Sequence, residues 1–228
     1  MRGGLLLAVR VIDQHLVEAL EREGKPAKRA LAQQHAAPGI TLAARAARRY
    51  SVLVRIGIIS DTHGLLRQEV HAAFAGVDHI LHGGDIGSEE VLLELRTIAP
   101  VTAVAGNVDG FRLGDAGETA RVTLGGLRFY LTHILDQPHR LRREVESDLR
   151  REPADVVIFG HSHLPHDEKI GEVWYFNPAS AGPRRFDLPL SVGLLDDASG
   201  SWQARHIPLD LRSAGALAKE MNRLSRRQ

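Results

Sequence analysis

The sequence predicts an α/β domain that begins near Val54, and three features carry the prediction. The texture changes at Val52, where an Ala/Arg-rich stretch gives way to Val52-Leu53-Val54-Arg55-Ile56-Gly57-Ile58-Ile59, a buried strand by composition. From there apolar strand-like runs alternate with helix-period segments, the pattern of parallel βα units. Finally, five of the apolar runs stop at a polar residue able to ligate a metal.

In chain order, residues 1–53 are an N-terminal extension with two helix-like stretches, Val9 to Glu23 and Ile40 to Arg49, broken by Gly24, Pro26, Pro38 and Gly39. The first strand runs into Ser60-Asp61-Thr62-His63. A helix over Leu65 to Ala75, a strand over His79 to His82, a helix over Ser88 to Ile98 and a strand over Val101 to Ala105 follow. Ser88 is placed as the N-cap, with Glu89 and Glu90 in the first turn, where they oppose the positive end of the helix dipole. Ala120 to Leu124 and Leu127 to Leu131 flank Gly125-Gly126 and predict a hairpin. Further strands are expected over Asp155 to Phe159, Val173 to Phe176, Leu190 to Leu195 and Trp202 to Ile207, and a helix from Leu211 to Leu224 closes the chain.

Composition narrows the chemistry. Apolar residues make up 43% and charged residues 25%, an ordinary balance for a chain that buries a core. The absence of cysteine excludes disulfides, thiolate nucleophiles and cysteine-held zinc or iron–sulfur groups, so any metal is held by His, Asp, Glu or Asn. The net charge of +1 divides unevenly: residues 1–53 carry nine Arg/Lys against four Asp/Glu, and residues 54–228 twenty against twenty-four. A slightly acidic body argues against long nucleic acid as a ligand, since backbone binding needs many cations. No run reaches the roughly 18 apolar residues of a membrane span, and the opening apolar stretch is too short for a signal peptide, so a cytoplasmic protein is expected.

The strand endings point to one site. The five runs end at Asp61/His63, at Asp85, at Asn107, at His133 and at His161/His163. In open α/β sheets the ligand crevice lies beyond the carboxyl ends of the strands, which predicts that these seven side chains converge across more than a hundred residues. Glycines 83, 84, 106 and 160 are expected to let the backbone turn there. Seven nitrogen and oxygen donors exceed the four of a tetrahedral zinc site, so two divalent ions with a shared carboxylate are expected. Such a donor set suits manganese, iron, zinc or similar ions and does not choose among them; manganese is the first expectation, with iron, zinc, nickel and magnesium as alternatives.

Six pieces in order, Asp61-Thr62-His63, Gly84-Asp85, Gly106-Asn107-Val108-Asp109, Thr132-His133, Gly160-His161-Ser162-His163 and Asn177-Pro178-Ala179-Ser180, resemble the calcineurin-like metallophosphoesterase superfamily, in particular its small YfcE-type phosphodiesterase branch. The resemblance covers residue 54 to the end of the chain. It implies a four-layer α/β/β/α sandwich, two mixed sheets facing each other with helices outside. It also implies that Asp61, His63 and His163 hold one metal, that Asn107, His133 and His161 hold the other, and that Asp85 bridges. The implied activity is hydrolysis of a small or nucleotide-type phosphodiester by a metal-bridging hydroxide. The alternatives are a phosphomonoesterase, a nucleotide phosphatase or nuclease, and a metal-binding scaffold like the family's retromer-subunit branch; possession of every ligand favours the enzyme. Relatives also form dimers or higher oligomers.

Two departures stand out. Asp109 stands where phosphomonoesterase relatives carry His, as in the small phosphodiesterase branch. It joins Asn107 and His133 as a candidate catalytic residue, either handling the leaving group or, the favoured role, orienting a neighbouring ligand. Ile134-Leu135 replaces the Gly-His that often follows His133. Of the other histidines, His82 is expected to be packed beneath the site, and His71, His79, His139, His166 and His206 to lie on exposed faces. Asn177 either faces the site or closes a rigid turn, and Arg184-Arg185 is read as a solvated loop rather than a phosphate contact. Residues 1–53 read either as an upstream reading-frame extension or as a basic arm for a partner or anionic lipid.

Overall fold

The computed structural model describes residues 54–110, 116–197 and 201–225. The N-terminal extension, its two helix-like stretches and the alternatives for their role lie outside the described residues.

Two five-stranded mixed sheets form the centre. In the first, β1 (Arg55–Ile59) runs parallel to β2 (His79–His82), and β2 to β3 (Val101–Ala103). On the other side of β1, β11 (Ser191–Asp196) and β12 (Gln203–Pro208) add antiparallel strands. The second sheet repeats the plan: β5 (Leu127–Thr132), β8 (Val156–Ile158) and β10 (Val173–Pro178) are parallel, with β4 (Thr119–Leu124) and β9 (Pro165–Ile170) antiparallel at the edges. A short hairpin, β6 (Asp136–Gln137) and β7 (Arg140–Leu141), follows β5.

The layers follow from the twofold alternation of side chains along each strand. Ile56 and Ile58 of β1 meet Phe129 and Leu131 of β5, Val156 and Ile158 of β8, and Trp174 and Phe176 of β10 between the sheets. Ile59, on the opposite face, meets α1 (Gln68–Ala73) and α2 (Glu89–Arg96), packing with Val70, Phe74, Leu92 and Leu95. On the far side, Tyr130, Val157 and Tyr175 cover Val145 of α3 (Arg143–Arg151). The result is the α/β/β/α sandwich. Because both faces of its central strands are buried, they read as continuous apolar runs. Helix α4 (Leu211–Ser225) packs against β12 and β9, the edge strands of the two sheets. Among the described residues no helix is long and apolar enough to cross a membrane.

Some local expectations change. The helix expected over Leu65 to Ala75 spans only Gln68–Ala73, because residues 64–67 complete the loop that carries His63. Ser88 takes the extended N-cap backbone but makes no side-chain cap bond. Strand β9 and helix α3 carried no apolar signal: β9 is a charged edge strand, and α3 buries only Val145.

Candidate metal centre

Register explains why the loops bearing the seven residues lie side by side. Pairing of Ile59 with His82 and of His82 with Ala103 brings the ends of β1, β2 and β3 side by side, so Asp61/His63, Asp85 and Asn107 leave the first sheet together. Pairing of Leu131 with Ile158 does the same for His133 and His161/His163 on the second sheet. The loops are laced to one another by backbone bonds from Asp61 N to Gly84 O (2.9 Å), from His63 N to Asp85 O (2.9 Å) and from Gly160 N to His133 O (3.1 Å).

The sharp turns are made by the functional residues themselves. Asp61, His63, Asp85, His161 and His163 all hold φ between +47° and +68°, a left-handed backbone that costs each about 1–3 kcal/mol. Of the four glycines expected to supply the turns, Gly84 has a positive φ (+95°). Gly106 and Gly160 serve a different need: a Cβ on the first would overlap the backbone N and Oδ1 of Asp85, and on the second Ser60 Oγ and Asp61 Oδ2.

Two groups of side chains converge, Asp61 with His63 and His163, and Asp61 with Asp85 and His133. His163 Nε2 lies 3.2 Å from Asp61 Oδ1 and 3.4 Å from His63 Nε2. Asp85 stands between the halves, its Oδ1 3.3 Å from His133 Nε2 and its Oδ2 3.7 Å from His63 Nε2. His161 is exposed, its ring edge-on to His133 with centroids 5.3 Å apart. Asn107 and His133 line one cavity of about 440 Å³ with Ile134, Tyr130 and Val145. Ile134 thus presents an apolar wall beside His133, while Leu135 turns into the core under α3.

Electrostatics mark the site as built for cations. Asp61 is 0% exposed and neither of its carboxylate oxygens has a hydrogen-bond partner; His133 Nε2 and His163 Nδ1 are likewise buried and unpartnered. Isolated buried carboxylates are costly, so this donor set fits divalent metal ions. Burial by itself would raise the Asp85 carboxyl, but the His133 imidazole, the Val108 N–H and the nearby His63 hold it well below the usual range. Burial pulls His133 down, yet the carboxylates of Asp85 and Asp61 and the Gly83 carbonyl leave it raised. His63 is lowered, by burial and then by the charge of Arg185, against the pull of Asp85. His133 Nδ1 donates to Gly83 O (2.8 Å), which leaves Nε2 as the free lone pair aimed at Asp85.

Asp109, His82 and Asn177 stand beside the site as expected, and the structure adds their partners. Asp109 Oδ2 accepts from Ile86 N (2.9 Å) and Gly106 N (2.8 Å), and Oδ1 from Gly87 N (2.7 Å), tying the Asp85 loop to the Asn107 loop. His82 is wholly buried: Gly84 N–H donates to Nδ1 (3.2 Å), so Nε2–H donates to Thr62 Oγ1 (3.0 Å), which donates to Ile86 O (2.9 Å). Burial pushes the His82 imidazole down to about 4 and keeps this relay neutral. Asn177 Nδ2 donates to Gly160 O (2.9 Å) and Ser162 Oγ (3.2 Å) while Oδ1 accepts from Ala179 N (2.9 Å), locking the turn that bears His161 and His163.

Only His139 among the five outlying histidines is broadly exposed. The other four are partly buried. His71 pairs with Glu94 and His79 with Thr102; His166 sits 3.0 Å from Glu168 Oε2; and His206 donates to Asn177 O (2.7 Å) while stacking on Phe176.

Comparison with known proteins agrees with this geometry. Residues 54–200 match the calcineurin-like phosphoesterase superfamily domain. A probable metallophosphoesterase of Methanothermobacter thermautotrophicus is 33% identical over 147 residues, covering 62% of this chain and 86% of that protein. The phosphodiesterase YfcE of Escherichia coli K12 is 33% identical over 170 residues, covering 64% and 89%. The solved structure of a novel archaeal phosphodiesterase superposes with a TM-score of 0.55 at 26% identity, covering 68% of this chain and 100% of that one. Zinc-bound Vps29 from Entamoeba histolytica superposes at 0.53 with 21% identity over 69% and 100%, a likeness of fold.

Proposed function

The chain belongs to the calcineurin-like phosphoesterase superfamily, and from that premise we propose that it is a two-metal phosphodiesterase acting on small or nucleotide-type diesters. The observation that carries the reading is the buried Asp61 carboxylate with both oxygens unpartnered, set among Asp85 and three imidazoles. In this reading Asp61, His63 and His163 would hold one ion and Asn107, His133 and His161 the other, with Asp85 serving both, and manganese is the preferred metal. When bound, two such ions supply positive charge that acidifies a water and neutralises phosphoryl oxygens during displacement.

The chain's own groups prepare that chemistry. The Gly83 carbonyl holds His133 in the tautomer that presents Nε2. The left-handed backbone at Asp61, His63, Asp85, His161 and His163 fixes the turns from which their carboxylates and imidazoles leave before any ligand arrives. The cavity beside Asn107 and His133 has room for an alcohol group of the ester, with Ile134 excluding water from one wall. Asp109 is taken up by three backbone N–H groups and supplies no imidazolium to protonate a leaving group, which favours esters whose leaving alcohol is acidic. YfcE and the archaeal structure both bear the name phosphodiesterase.

The test is turnover of bis-p-nitrophenyl phosphate and p-nitrophenyl phosphate by metal-stripped protein refilled with manganese, with Asp85→Asn and His161→Ala as controls. Diester turnover lost in both variants supports the reading. Two bound metals with no turnover of either ester refutes it and favours the scaffold alternative, which the fold likeness to Vps29 keeps in play.

A further inference from the structure

Two arginines follow Gly182-Pro183, and the fold gives them different work. Arg184 is committed to structure: Nη1 donates to Leu188 O (3.1 Å), and Nη2 donates to Ser213 Oγ (3.0 Å) and pairs with Asp210. Arg185 is exposed and reaches the metal centre, its Nη2 3.3 Å from His63 Nε2. The next residue, Phe186, is 91% exposed and holds φ at +51°, a conformation that a bulky side chain rarely adopts without a tertiary reason.

The loop bearing this pair is fastened at both ends. Gly182 N donates to Asp61 O (3.1 Å), Arg67 Nε donates to Gly182 O (3.1 Å), and Leu188 N donates to Arg185 O (3.2 Å). A Cβ at Gly182 would overlap the carbonyls of Asp61 and Thr62, so glycine is what lets the loop leave directly from the metal-binding turn. An exposed phenyl ring and a guanidinium therefore stand on adjacent residues of a loop that leaves from the metal-binding turn, and the guanidinium reaches His63. A guanidinium has no stable place against an imidazole nitrogen that holds a divalent cation; with the neighbouring Asp61 and Asp85 carboxylates engaged by the metals, the anionic group left for it is the phosphate of a substrate.

We propose that Arg185 and Phe186 form a two-point substrate grip. The guanidinium takes a non-bridging phosphate oxygen, and the ring stacks on a flat aromatic group of the ester, a nucleobase or an aryl group. This rests on the phosphodiesterase reading above. In a nucleotide one ribose separates phosphate from base, a span that neighbouring side chains on one loop can cover. Base–aromatic stacking is tolerant of sequence, so the grip selects a flat aromatic substituent rather than a particular base.

The experiment uses the full chain loaded with manganese and three p-nitrophenyl diesters that share the leaving group and differ in the retained group: methyl, phenyl and thymidine 5′. Phe186→Ala is expected to lower the preference for the thymidine and phenyl esters over the methyl ester, in kcat/KM, by about 5- to 30-fold, the lower part of the range for exposed stacking. Arg185→Ala is expected to lower kcat/KM for all three by roughly 10- to 100-fold with two metals still bound, and Arg185→Lys to recover part of it. Calorimetric titration gives a readout apart from turnover: Phe186→Ala weakens binding of thymidine 5′-monophosphate and not of methyl phosphate. Equal effects of Phe186→Ala on all three esters, or none, overturn the grip while wild-type turnover leaves the phosphodiesterase reading standing. Failure of the wild type to hydrolyse any of them with two metals bound removes that reading, and the grip with it.

Discussion

Replacing Asp109 with alanine removes three hydrogen bonds at once and loosens two loops from each other. Its carboxylate accepts from the N–H groups of Ile86, Gly87 and Gly106 at 2.7–2.9 Å, and its loss leaves the longer bond from Val108 N to Asp85 Oδ1 (3.1 Å) as a side-chain tie between the Asp85 and Asn107 loops. Bonds to a charged acceptor contribute about 1.5–3 kcal/mol each, but the Gly87 bond is exposed and released N–H groups there regain water, so the total loss is about 3 kcal/mol. With an m-value of roughly 2 kcal/mol/M, the urea midpoint of the metal-free protein falls by about 1.5 M. Asp109→Asn keeps an acceptor for the two bonds to Oδ2 and places an amide N–H against Gly87 N–H, so it falls between wild type and alanine. Loosened loops also weaken the metals, by about 10- to 100-fold in dissociation constant. An Asp109→Ala protein with the wild-type urea midpoint and metal affinity but without turnover would refute the bracing role and give Asp109 a direct part in leaving-group chemistry.

Three further outcomes follow from the same geometry. Asp61→Asn removes a buried charge with two unpartnered oxygens, so the metal-free variant unfolds at a higher temperature than metal-free wild type, by about 1–2 kcal/mol of stability, while added manganese now stabilises only the wild type; calorimetry of both forms checks it. Gly160→Ala drives a methyl into Ser60 Oγ and Asp61 Oδ2 and is expected to cost about 1–3 kcal/mol and impair metal loading, read by urea unfolding and metal analysis. His82 has its imidazole pushed down to about 4 in the fold against 6.5 when free. Between those values the unfolded chain binds the extra proton, so the stability His82 contributes is complete above pH 6.5 and is lost as pH falls toward 4. The loss is about 3 kcal/mol in the metal-free protein. In His82→Gln the slope of stability between pH 4 and 6.5 becomes shallower; an unchanged slope would show that His82 is not the group being protonated.

The sandwich was legible where both faces of a strand are buried. The runs ending at Ile59, His82, Leu131 and Ile158 announce themselves because every position faces either the other sheet or a helix. It was not legible at β9, an edge strand written Pro-His-Asp-Glu-Lys-Ile, or at α3, whose charges face solvent and which gains its place through Val145. Hydrophobic patterning reports burial, and these elements bury little.

By itself the sequence determined the ligand types, their order and the strand end to which each belongs, since covalent adjacency to an apolar run suffices for that. Tertiary structure alone decided the rest. The left-handed turns at Asp61, His63, Asp85, His161 and His163, the three N–H groups gathered by Asp109, the neutral relay through His82 and the approach of Arg185 to His63 each depend on loops from distant strands meeting. Apart from the short-range bonds at Gly84 and Gly106, these contacts join residues 20 to 122 positions apart, and local composition carries no record of them because their energies exist only once sheet register has brought the partners within reach.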